Sequence, residues 1–278
     1  MWLEDQGSGE KGLDTTKGYT VSGQGPVIVL LHSSMSSKDQ WKSLIPLLCH
    51  RFKLISIDLA GYGDNELPSN PQTFSTEDEI DLVEQILLKK TENNEPFHLV
   101  GHSYGGAIAL KLAVKQIARI RTLTLFEPVA FHLLPAGGTA HNEITAVAGN
   151  LARALENKNK TLATRLFIDY WSGQGTFGNL KQKNQAIFLR YIDKVVLDFQ
   201  ALFTESLTLK DYSKVNIPVC MIKGEKSPLT SIQIFQILEH YLPDRSIHCV
   251  PGGHMSPITH VNKVNKIIEN FLTAHVLG

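Results

Sequence analysis

The chain has 278 residues, 42% hydrophobic and 19% charged, which suits one sizeable globular domain with room for an insertion. Lysine plus arginine equal aspartate plus glutamate at 27 each, so no basic footprint arises and nucleic acid is not an expected partner. Cys49, Cys220 and Cys249 are too few and too scattered for a disulfide framework or a metal cage, and no run approaches the roughly 20 apolar residues of a membrane span.

Residues 1–18 carry Glu, Asp, Gly and Lys and lack the apolar centre of a signal peptide. A soluble, reduced, cytoplasmic setting is expected, with the first dozen residues loosely ordered. Residues 26–31 are a buried strand, followed by helical signals around 39–49. A second strand at 53–57 ends in a glycine-rich turn, 58–64, which Asp58 is expected to brace. The segment 75–90 opens with Ser75, Thr76 and acids and closes on Lys89 and Lys90, charges placed as a helix dipole prefers. Thr76 with Glu79 predicts a capping box there.

A strand at 97–102, a helix at 104–117 and a strand at 122–126 come next. From 128 to 214 the pattern is mostly helical, with apolar residues three and four apart in 151–155, 162–171 and 187–202. Strand signals return at 218–222 and 246–250, with helices at 230–241 and 260–273. Cys220 and Cys249 lie in those apolar runs and read as buried small hydrophobes. The alternation predicts an α/β protein with a parallel sheet and helices on both faces. Its core spans 1–127 and 215–278, and 128–214 is a helical cap inserted over the strands' carboxyl ends, where open sheets place ligands.

The most informative stretch is Gly101-His102-Ser103-Tyr104-Gly105, entered by a strand and left by a helix. It has the G-x-S-x-G pattern of a nucleophile elbow in its required context; otherwise Ser103 would be an ordinary helix cap. Only minimal side chains fit beside so sharp a turn, hence Gly101 and Gly105. A serine nucleophile needs a base, and His254, after Gly252 and Gly253 beyond the last strand, stands where the order serine, acid, histidine requires it. The alternative is a loop histidine capping the final helix. Two backbone donors should bind the oxyanion: the amide of Tyr104 and, from the loop His32-Ser33-Ser34-Met35, the amide of Ser34. A plain polar turn is the competing reading of Ser33 and Ser34.

Leu30-Leu31-His32-Ser33-Ser34, Asp58-Leu59-Ala60-Gly61-Tyr62-Gly63, Gly101-His102-Ser103-Tyr104-Gly105-Gly106 and Gly253-His254 resemble, in order, the landmarks of the α/β-hydrolase superfamily. The resemblance covers about residues 18–275 and implies an eight-stranded sheet, a serine hydrolase mechanism and no cofactor. Substrate is left open, because one fold hosts many chemistries. Two positions depart from the family pattern. His32 is followed by Ser33 rather than glycine, and Gly224-Glu225-Lys226-Ser227 puts Ser227 where the triad aspartate usually stands.

Glu127, at the end of the strand beside the nucleophile strand, is the replacement acid; Glu225 is the rival, and an absent acid remains open. His102 reads as a packed neighbour of the nucleophile. Tyr170-Trp171 and Phe131-His132 read as cap core ahead of pocket roof, and Met255 as either. The expected function is a cofactor-independent serine hydrolase, without metal, acting on a small or medium carbonyl substrate, a carboxylic ester first. The alternatives are a binding protein on a weakened hydrolase scaffold, or a lactonase, thioesterase or carbon–carbon bond hydrolase. No membrane partner is expected, and the chain is expected to be a monomer or a homodimer.

Overall fold

Runs of apolar residues without alternation bury both faces of a strand, and such strands occupy the centre of a parallel sheet. The computed structural model of the chain describes residues 14–16 and 18–276. It begins with β1 (Asp14–Thr16), β2 (Tyr19–Ser22) and β3 (Val27–Leu31). Helix α1 (Ile45–Leu48), β4 (Lys53–Ile57), α2 (Thr76–Lys90), β5 (Phe97–His102), α3 (Tyr104–Lys115) and β6 (Ile120–Phe126) follow. Five helices then intervene: α4 (Thr139–Glu156), α5 (Lys160–Ser172), α6 (Thr176–Asn179), α7 (Gln182–Phe203) and α8 (Leu209–Tyr212). The chain returns through β7 (Val219–Gly224), α9 (Leu229–Tyr241), β8 (Arg245–Val250), α10 (Ser256–Thr259) and α11 (Val261–Ala274).

The eight strands form one sheet in the order β1-β2-β4-β3-β5-β6-β7-β8. The β1–β2 and β2–β4 pairs are antiparallel and every other pair is parallel. Side chains alternate across β3: Val27, Val29 and Leu31 enter one core with Ile80 and Val83 of α2 and Ile108 and Leu112 of α3. Ile28 and Leu30 enter the opposite core with Leu48 of α1 and Val264, Ile268 and Leu272 of α11. Each such side chain, taken fully from water, contributes about 1.5–3 kcal/mol. Helices therefore cover both faces, as the alternation predicts.

Three local expectations are corrected. The cap of α2 is Ser75, whose side chain and backbone pair reciprocally with Asp78, one residue ahead of the Thr76–Glu79 pair. Glu79 is instead wholly buried. Cys249 is exposed, because β8 pairs only with β7 at the sheet edge and its alternate residues face outward. The helical stretch near 39–49 is split into a 3-10 turn, Lys38–Trp41, and α1. The first dozen residues, expected to be loosely ordered, lie outside the described residues. Among the described residues no helix is long and apolar enough to cross a membrane.

Burial pushes the pKa of His32, His98 and His132 down to about 4, against about 6.5 in an unfolded chain. At His32 the geometry gives the same answer: Nε2 accepts the Leu59 N–H at 3.0 Å and Nδ1–H donates to Ser33 O at 2.7 Å. That pairing demands the neutral ring. Between about pH 6.5 and 4 the unfolded chain holds more protons than the folded one, so stability falls as pH falls. The urea midpoint near pH 5 is expected below that near pH 7; an equal or higher midpoint contradicts this.

Candidate active site

β5 and β6 are parallel neighbours with His102 opposite Phe126, so Ser103 and Glu127 leave adjacent strand ends on the same edge. Ser103 takes φ 56° and ψ −116° between β5 and α3, a conformation that L residues hold only when their surroundings impose it. The surroundings are backbone. A Cβ on Gly101 would stand 2.4 Å from Gly105 O, and one on Gly105 would stand 2.4 Å from His32 O. The elbow closes because both are glycine.

The ring of His254 lies between the two strand ends. Its Nε2 is 2.8 Å from Ser103 Oγ and its Nδ1 is 2.7 Å from Glu127 Oε2. Glu127 Oε2 is an acceptor, so Nδ1 carries the proton and Nε2 presents its lone pair to the serine hydroxyl. Glu127 Oε1 accepts the Gly224 N–H at 2.7 Å and the Ser227 hydroxyl at 2.5 Å. Ser227, standing where the family's aspartate is expected, thus braces the carboxylate that reaches His254 instead. Glu127 has φ 41°, a left-handed backbone state uncommon for a residue with a side chain. Glu225 is exposed and its amide bonds to Val250 O, away from the histidine.

Two further groups meet the imidazole: Ser231, which the sequence does not signal, and Trp171, which lines the cavity as well as packing in the core. Ser231 Oγ lies 3.2 Å from His254 Nδ1, and Trp171 lays its ring over the imidazole at 4.2 Å between centroids. Ser231 has no signal in the chain beyond its place in an apolar helix. His102 supports the same loop: Nε2–H donates to His254 O at 2.9 Å, and burial, then the neighbouring His254, lowers its pKa well below the usual histidine value. His102 is a packed neighbour, as read. His132 turns away to the Tyr212 hydroxyl at 3.0 Å, and Phe131 stacks on Phe199.

The loop after β3 is fixed with equal care. His32 Nδ1–H and the Ser36 N–H both bond Ser33 O, at 2.7 and 3.2 Å. That carbonyl shares a planar trans peptide with the Ser34 N–H, so holding one orients the other in the opposite direction. Serine in place of glycine at 33 is accommodated, since its N–H and hydroxyl both donate to Gln40 Oε1 at 3.0 Å. Met35, at φ 57°, supplies the left-handed step. Tyr104 opens α3, so its N–H has no acceptor within the helix.

Ser34, Ser103, His254 and Met255 line a cavity of 850 Å³ together with Phe167, Ile168, Tyr170 and Trp171 of α5. Residues of the inserted helices and of the sheet edge therefore share one enclosure. Its size falls in the range that takes a small or medium organic ligand. Among the described residues no group of three His, Cys, Asp or Glu side chains is arranged to hold a metal ion.

The chain is 23% identical over 249 residues to the 3-oxoadipate enol-lactonase 1 of Acinetobacter baylyi, covering 89% of this chain and 88% of that one. Its fold matches the enol-lactonase of Burkholderia xenovorans LB400 with a TM-score of 0.74 and 18% identity, over 92% of this chain and 95% of the other. It matches MGS-M2, an alpha/beta hydrolase from a Medee basin deep-sea metagenome library, with a TM-score of 0.78 and 18% identity, over 92% and 93%. The profile of the alpha/beta hydrolase fold family matches residues 26–261. The chain belongs to the alpha/beta hydrolase fold family.

Proposed function

We propose that this protein is a serine hydrolase that cleaves a carboxylic ester through an acyl-enzyme. One observation carries the reading: an unbroken relay runs from Ser103 Oγ through both nitrogens of His254 to Glu127, at 2.8 and 2.7 Å. A hydroxyl is a poor nucleophile, and a neutral imidazole with its lone pair on the hydroxyl is the base it needs. Ser103 Oγ attacks the ester carbonyl while its proton passes to His254 Nε2. The Glu127 carboxylate stabilises the imidazolium. The amides of Tyr104 and Ser34 bind the oxyanion. His254 then protonates the leaving oxygen; a water gives its proton to His254 as it attacks the acyl-enzyme, and His254 passes that proton to Ser103 Oγ as the acid departs.

The inserted helices, 128–214, act as a cap that keeps water from the relay. Trp171 is its contribution over the imidazole. Two relatives are named for enol-lactone hydrolysis, which favours a cyclic ester as one form of the substrate. A lactone needs the same nucleophile, base and oxyanion donors, and its leaving oxygen simply stays attached to the acyl chain.

Ser103→Ala is expected to abolish turnover of 4-nitrophenyl butyrate without changing the thermal melt; retained turnover defeats the proposal. Glu127→Gln leaves His254 without a charged partner and should lower kcat by roughly 10⁴-fold, as the amide replacement does in the serine protease template. Glu225→Gln should leave kcat unchanged. The opposite pattern in that pair would move the acid's role to Glu225.

A further inference from the structure

Helix α7 carries a lysine into the protein interior. The Lys194 side chain is 0% exposed, and its Nζ lies 3.0 Å from Glu79 Oε1 of α2 and in contact with Asp198 Oδ1 one turn along α7. The rings of Phe74, Tyr104 and Tyr62 surround the ammonium at 4.5, 4.6 and 5.0 Å. Burial alone would lower the lysine's pKa, but the charges of Asp198 and Glu79 outweigh it and hold the value above the usual one. A buried ion cluster of this kind adds little net stability, since apolar residues of the same volume often serve as well or better. Its use lies in what it holds.

It holds the side chains of both residues assigned to the oxyanion. Asp198 Oδ2 accepts the Ser34 hydroxyl at 2.6 Å and the Tyr62 hydroxyl at 2.5 Å. Glu79 Oε1 accepts the Tyr104 hydroxyl at 3.0 Å, and Glu79 Oε2 accepts the Ala60 N–H at 3.0 Å. Ser34 precedes the left-handed Met35, so its loop sits in a backbone state that needs an external hold. Only the backbone N–H groups of Ser34 and Tyr104 are needed for the oxyanion, yet both side chains are tied off on the same three charged groups.

We propose, building on the serine-hydrolase reading above, that Lys194, Asp198 and Glu79 form a positioning cluster. Through it, α7 of the insertion clamps Ser34 and Tyr104 and so holds the two oxyanion-binding N–H groups in register. The inserted helices then set catalytic competence as well as access. Misplacing a catalytic donor by about 1 Å can cost up to 10²-fold in rate, and these tethers prevent that displacement.

The direct test cuts one tether and keeps the amide. Ser34→Ala should lower kcat for 4-nitrophenyl butyrate by about ten- to a hundredfold with little change in KM. The Ki of pentyl trifluoromethyl ketone, whose bound hemiketal uses the same donors, should rise by the same factor. Ser34→Thr, which restores a hydroxyl, should recover most of the loss. Asp198→Asn should lower kcat too, and adding Ser34→Ala to it should cost less than in the native background, because one link is cut twice.

Should Asp198→Asn fail to fold, the Ser34→Ala and Ser34→Thr pair with the ketone still decides the matter. Native kcat and ketone affinity in Ser34→Ala overturn the cluster's positioning role, as does a KM effect alone. An active Ser103→Ala would overturn the serine reading itself, a separate and distinguishable result.

Discussion

A carboxylate sealed from water needs a donor for each oxygen, and at Glu127 that requirement organises the whole sheet edge. One oxygen is committed to the Gly224 amide and the Ser227 hydroxyl, which leaves the other for His254 Nδ1. With Nδ1–H so engaged, the imidazole has one lone pair to offer, and it points at Ser103. Remove the carboxylate and the tautomer is no longer specified. At the family's usual acid position Ser227 is a donor that holds the carboxylate of Glu127, the residue after β6.

The inserted helices are tied to this edge by two kinds of contact. Trp171 of α5 covers the imidazole with an apolar face, and Lys194 and Asp198 of α7 reach the loop after β3 and the first residue of α3. Aromatic rings also link the two helices, with Phe167 edge-on to Phe199 and Trp171 within reach of Phe131. A displacement of α7 would therefore be felt at both the roof and the floor of the cavity. The inserted helices and the sheet edge are mechanically joined.

Much of this was legible in the chain, and the remainder has physical reasons for being hidden. Strands β3 to β8 announce themselves as apolar runs between turn signals. β1 and β2 are only three and four residues long, with threonines and little apolar content, too short for a period to register. Strand adjacency made Glu127 a candidate beside Ser103, because sequential parallel strands tend to neighbour each other. Lys194 could not be found that way. A lysine one turn from an aspartate on an amphipathic helix has the pattern of a solvated pair, and only the approach of Glu79, Tyr62, Phe74 and Tyr104 in three dimensions encloses it. Ser231 was equally silent, and Ser227 stood out only as a missing aspartate, since a serine's partner is set by three-dimensional approach. Cys249 misled because an apolar run does not say whether its strand lies at the sheet's centre or edge.

In the proposed relay Glu127, through His254, makes Ser103 nucleophilic. The most direct test of this relay is the rate at which a fluorophosphonate probe labels the protein at neutral pH, with peptide mapping, in the native chain and in Glu127→Gln. Label on Ser103 is expected in the native protein, with a labelling rate lowered by orders of magnitude in the variant. Label at another residue, no label at all, or equal rates in the two proteins would contradict it.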